Sequence, residues 1–169
     1  HAVLLMVDLE TGAISRIDTK SGTAGAPNGL SAVAVVSTAD NGVADVVYAG
    51  DLAGNLWKFD IGSSTAAGWK VAFGTTAAPR PLFTAASGQA ITARPDVTRL
   101  PKGGYMVTVG SGRYVDVGDN GAGSSQSMYG ILDNGTEVAL ADLQVQSVVR
   151  TSTAASGAVY RLSTFAVGT

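Results

Sequence analysis

Carboxylates carry most of the chemistry open to this sequence. Four of them, Asp40, Asp45, Asp51 and Asp119, lie in or next to segments bearing glycine or asparagine. A divalent cation held by such groups polarises an ester or lactone carbonyl and activates water. One functional reading is therefore a Ca2+-dependent hydrolase such as a lactonase. Its general base would also have to be a carboxylate, because the single histidine is His1. A Ser-His-Asp triad or a multi-histidine zinc site needs a histidine inside the fold. The lack of cysteine removes thiolate nucleophiles, thiolate metal ligands and disulfides. Asp116, Asp119 and Asn120 form a second oxygen-rich group, in a segment that reads as a solvated loop. Gly110-Ser111-Gly112-Arg113 lacks the GxxxxGK[ST] spacing and following helix of a phosphate cradle, and reads as a tight turn.

The elements that must position these groups are strands. The chain has 169 residues, 46% hydrophobic and 14% charged, with 22 glycines spread along its length. That size fits one domain with a core, and spread glycine among short valine-rich runs points to an all-β fold with frequent turns. The formal net charge of −2 and the absence of a basic block argue against nucleic acid as a partner. No apolar run reaches the roughly 18–20 residues that cross a bilayer. Expected strands are 3–8, 13–18, 31–36, 46–49, 55–60, 70–73, 81–84, 90–93, 105–109, 113–117, 128–133 and 159–163, most bounded by Gly, Asn, Asp or Pro. Segments 76–104 and 118–127 read as insertions, and 137–149 is ambiguous between helix and strand.

Internal similarity sharpens this reading. VLLMVDLETGAISRID (3–18) resembles VVYAGDLAGNLWKFD (46–60), pairing Asp8 with Asp51, Gly12 with Gly54, Ile14 with Leu56 and Asp18 with Asp60. MYGILDNGTEV (128–138) is a weaker echo, with Asp133 and Gly135 at the turn. An offset of 42–43 residues (Gly12 to Gly54, Asp8 to Asp51) matches one four-stranded propeller blade. The expectation is a β-propeller-like domain over 1–169, partial or short, with about four blades near 1–45, 46–80, 81–125 and 126–169. The chain opens in mid-pattern, as a piece of a longer protein would. Open sheet edges would invite pairing with a second copy, so a homodimer is expected.

Three segments resemble the PilY1 family of type IV pilus biogenesis proteins: DNGVADVVYAGDLAGNLWKFDI (40–61), PLFTAASGQAITARPDVTRLPKGGYMVTVGSGRYVDVGD (81–119), and SMYGILDNG with ADLQVQSVV (127–149). The resemblance implies a modified propeller with quinoprotein-like blades. It implies a structural or adhesive role at the pilus tip or bacterial cell surface, in an extracellular or periplasmic setting. Pilus proteins and host or surface ligands would be the partners. GNLW resembles the tryptophan docking motif of such blades, where Trp57 would pack between neighbours. A sugar-stacking role for Trp57 or Trp69 is the alternative. No set of basic and polar residues stands ready for a tricarboxylate quinone, so none is expected. Segment 37–45 falls where the family has a calcium loop of the EF-hand kind. Residue by residue, Asn41, Gly42 and Asp45 match, Val43 offers a backbone carbonyl, and Asp40 stands near the missing acids, whereas Ser37 replaces an Asp and Ala39 offers no ligand. Calcium held by Asp40, Asn41, Val43 and Asp45 is thus the expected metal site, competing with a plain Asp-Asn-Gly turn.

Overall fold

A computed structural model describes residues 1–115, 117–119 and 125–163. Its strands are β1 (Val3–Val7), β2 (Ile14–Asp18), β3 (Leu30–Val36), β4 (Val46–Asp51), β5 (Asn55–Asp60), β6 (Lys70–Val71), β7 (Phe73–Gly74), β8 (Pro79–Arg80), β9 (Phe83–Thr84), β10 (Asp96–Arg99), β11 (Tyr105–Gly110), β12 (Met128–Asp133), β13 (Val148–Thr153) and β14 (Val159–Ser163). Every strand ladder is antiparallel. The central sheet runs β3-β4-β5-β6, with β9 also pairing β5, and it is followed by the three-stranded sheet β10-β11-β12. The hairpins β1-β2, β7-β8 and β13-β14 stand as two-stranded units. β3 pairs β4 along Val33–Val36, so residues on both sides of position 45 share one sheet.

The two segments matched by internal similarity fold alike. β1 and β2 pair from Val3↔Asp18 to Val7↔Ile14, and β4 and β5 pair from Val46↔Asp60 to Gly50↔Leu56. In each, an aspartate closes the turn: Asp8 Oδ1 accepts the N–H of Glu10 and Thr11, and Asp51 Oδ1 accepts that of Asn55. These bonds, led by that from the Thr11 backbone, hold the Asp8 carboxyl below the usual carboxylate range. Gly12 and Gly54 complete the turns at φ 71° and 86°, where a side chain is strained.

Side-chain alternation then builds a stack of layers. Val47, Ala49, Trp57 and Phe59 leave one face of the central sheet and pack with Leu4 and Ile17 of the β1-β2 hairpin. Tyr48 and Leu56 leave the other face and pack with Val107, Val109, Tyr129 and Ile131 of the β10-β12 sheet. The central sheet is thus covered on both sides, while its neighbours are covered on one. Leu5 (57% exposed), Val7 and Ile14 point outward from the hairpin, and Met128 (80% exposed) and Leu132 from β12. Sheets stacked face to face with large apolar side chains exposed on the outer face at both ends make an open, partial propeller rather than a closed ring.

Gly50 lies at a close approach within this stack. A Cβ there would meet Ile91 Cγ2 at 2.2 Å and Ile91 O at 2.3 Å. Gly50→Ala is expected to cost about 1–3 kcal/mol through overpacking, read as a lower denaturation midpoint. An unchanged midpoint would show that β4 can move away from Ile91.

Several expectations shift. Residues 90–93 contribute an isolated bridge between Ile91 and Gly112 instead of a strand. Of the stretch expected as strand 113–117, residues 113–115 are not in a strand: Arg113 folds onto Asp119 and Val115 N–H binds the same carboxylate, while residue 116 lies outside the described residues. β10 lies inside the stretch read as an insertion, and the ambiguous stretch 137–149 holds a 3-10 turn, Leu140–Asp142, followed by the start of β13. Among the described residues no helix is long and apolar enough to cross a membrane.

Candidate functional site

The oxygen-rich segment 37–45 forms the connection between β3 and β4. Asp40 and Gly42 adopt positive φ, 52° and 78°, which lets the loop close within a few residues. Asn41 Oδ1 accepts the Ser37 hydroxyl (3.1 Å) and the Val43 N–H (2.9 Å), an Asx-turn arrangement. Asp45 is clamped by Thr38: its Oδ1 accepts the Thr38 N–H at 2.8 Å and its Oδ2 the Thr38 hydroxyl. Asp40 pairs with Arg99, which arrives from β10 of the neighbouring sheet. Thr38 and Arg99 are thus the residues that define this loop, and sequence reading passed over both. A threonine beside the first loop position was the available signal for the clamp; nothing local announces Arg99.

Calcium takes six to eight hard oxygens, several of them anionic. The loop offers Ser37 Oγ, Asn41 Oδ1, the Val43 carbonyl and Asp45, with no donor on Ala39. Both carboxylates, Asp40 and Asp45, already have protein partners. Among the described residues no group of three or more His, Cys, Asp or Glu converges as a metal site. As folded, this donor set fits the ion poorly.

The remaining hydrolase candidates occupy separate environments. Asp51 is fully buried, and its Oδ2 accepts bonds from Asn28 Nδ2 (2.8 Å), Asn55 Nδ2 (2.8 Å) and Trp57 Nε1 (2.7 Å). That carboxylate organises the β4-β5 turn and the indole, and faces no solvent. Asp119 binds Arg113 at 2.7 Å, whereas Asp116 and Asn120 lie outside the described residues. The four aspartates weighed for hydrolysis therefore serve a Thr38 clamp, an Arg99 pair, a buried turn and an Arg113 pair.

A buried electrostatic cluster joins the central sheet to its neighbour. Lys58 Nζ lies 2.6 Å from Asp133 Oδ2, and the Tyr48 hydroxyl donates to the same oxygen. Asp133 is almost fully buried and also accepts the Gly135 N–H at 3.0 Å, so the third turn aspartate of the repeat doubles as a seam ligand. Burial first, and then the Asp133 carboxylate, push the Tyr48 hydroxyl well above the usual tyrosine range, so it stays a proton donor. The signal for this cluster was a lysine between Trp57 and Phe59, in a strand whose faces are both buried. Trp57 is 2% exposed at the opposite seam, which places it as a packing residue; Trp69 is only partly buried.

A family model described as the PilY1 beta-propeller domain matches residues 1–155. The type IV pilus biogenesis factor PilY1 of Pseudomonas aeruginosa is 40% identical over 155 residues, covering 80% of this chain and 13% of that protein. A PilY1 homolog of Xylella fastidiosa is 37% identical over 152 residues, covering 82% of this chain and 10% of that protein. The crystal structure of the Pseudomonas aeruginosa PilY1 C-terminal domain aligns with a TM-score of 0.76 at 35% identity, over 95% of this chain and 40% of that chain. The chain thus spans a small part of the curated relatives it matches.

Proposed function

The chain belongs to the PilY1 β-propeller family, and from that premise we propose that it is a blade-bearing structural module of a type IV pilus biogenesis factor, displayed at the bacterial cell surface or pilus tip. The observation that carries this reading is the stack itself. A covered central sheet lies between two sheets that expose Leu5, Val7 and Ile14 on one outer face and Met128 and Leu132 on the other, and the matched crystal structure is the longer of the two chains. We read those faces as seats for further blades, and the assembled propeller as the surface offered to pilus proteins. Adhesion to host or surface ligands would be exercised by that assembly. The test replaces the segment in the parent protein with a neutral linker and counts surface pili. Lost piliation restored by the intact segment is expected; full piliation without it overturns the role.

Loop 37–45 is read as a latch that protein groups close, in place of a calcium switch. The Thr38 clamp on Asp45 and the Asp40–Arg99 pair supply the partners that an ion would otherwise provide. Calorimetric titration with millimolar Ca2+ is expected to give no saturable heat, and Asp45→Ala to behave like the parent. Saturable heat that disappears in Asp45→Ala would restore the calcium reading.

A further inference from the structure

We infer that the groove between the β1-β2 hairpin and strands β6 to β8 binds a carboxylated saccharide of the hexuronate class. The groove encloses about 550 Å³ and is lined by Arg16, Asp18, Lys20, Trp69 and Lys70, among others. That is ample for a sugar residue and its neighbour, since small-molecule sites run about 300–1,000 Å³. Three cations meet one carboxylate here, although the whole chain is net negative.

That one carboxylate is already engaged. Asp18 accepts the Lys20 backbone N–H at 2.7 Å, the Lys20 ammonium at 3.0 Å and His1 Nδ1 at 3.0 Å. Arg16 and Lys70 have no ion-pair partner among the described residues. Asp60 stands opposite Lys70 in the β5-β6 ladder, but its Oδ1 accepts the Gly62 N–H. An arginine and a lysine held on two strands, without anions of their own, suit a carboxylate ligand.

Trp69 adds the second half of the recognition. Its Nε1–H is donated to the Ser63 carbonyl at 2.9 Å, which fixes the ring, and it packs at the edge of the cluster that holds Ile17 and Val71. A fixed indole beside unpaired cations suits a ring with an apolar face and an acidic substituent. Phosphate-rich polymers are a poor fit, because no basic run tracks a backbone. Arg16 stands opposite Leu5 on the outward face read as a seat for a further blade, so the site is tested in this chain, where that face is open. Absence of binding leaves the pilus role standing, and absence of the pilus role leaves the binding result standing.

The probe is oligogalacturonate, with neutral dextran oligomers and poly-glutamate as comparisons. Tryptophan fluorescence of the protein should change saturably with oligogalacturonate, with buried Trp57 contributing a constant background. Arg16→Gln combined with Lys70→Gln should weaken binding about tenfold, and added salt should weaken it further. Trp69→Phe should abolish the optical signal and reduce the affinity read by calorimetry. Equal binding of dextran, tighter binding of poly-glutamate, indifference to the double variant, or no binding of any probe would each overturn the inference.

Discussion

Asp133→Ala should lower the free energy of unfolding by about 3–5 kcal/mol, the loss typical of breaking a buried ion pair from one side. The Asp133 side chain is 1% exposed and that of Lys58 17%, so the ammonium left behind would be only partly hydrated, which favours the lower end of the range. The Tyr48 hydroxyl would lose its acceptor in the same step. The rings of Tyr48 and Phe73 would remain 6.0 and 5.9 Å from the ammonium, but exposed cation–π contacts contribute only about 0.5–1 kcal/mol. Tyr48→Phe removes one hydrogen bond and should cost about 1 kcal/mol. The deciding variant is Lys58→Met with Asp133→Leu, which replaces both charges with apolar groups and should recover most of the loss. Denaturant unfolding of the three proteins gives the comparison. If the double variant is as unstable as Asp133→Ala, the unpaired ammonium is not the source of the loss, and the seam depends on the hydrogen bonds that Asp133 accepts from Tyr48 and Gly135.

These seams also show which features could be read from the residues and which could not. The repeat of Asp8 and Asp51 with their glycines was legible, because a turn is local chemistry: the carboxylate caps backbone N–H groups two to four residues ahead. The place of Trp57 was legible too, since a large ring in a strand alternates toward a covered face. Lys58 and Asp133 were harder. They lie on β5 and β12, and strand periodicity states which face a residue takes without stating what covers that face. The same limit applies to Arg99. It sits on a four-residue strand between Pro95 and Pro101, in a stretch whose prolines read as a break, yet β10 brings it to Asp40. The calcium reading of 37–45 rested on oxygen spacing along one loop, and the competition for those oxygens comes from Thr38 within it and Arg99 far from it.

Trp57→Ala should be the most damaging single change at the other seam, costing about 3–5 kcal/mol for a buried aromatic truncated to a methyl. The ring contributes in two ways that separate experimentally. Its carbon surface fills the space between the central sheet and the β1-β2 hairpin, beside Leu4, Ile17 and Phe59. Its Nε1–H also satisfies Asp51 Oδ2, which keeps Asn28 and Asn55 as donors when the indole is gone. Trp57→Phe keeps most of the apolar surface and removes the N–H, so it should cost roughly 1–2 kcal/mol, close to one lost hydrogen bond plus a small void. Asp51→Ala does the reverse. It leaves the indole in place but orphans its N–H and the Asn55 backbone N–H, while the Asn28 and Asn55 amides keep Ser21 Oγ as an acceptor, for a loss of about 2–4 kcal/mol. The expected order of stability is therefore Trp57→Phe above Asp51→Ala, with Trp57→Ala lowest. Were Trp57→Phe to fall as far as Trp57→Ala, the hydrogen bond would dominate, and sheet-on-sheet packing at this seam would not be what joins the hairpin to the blade.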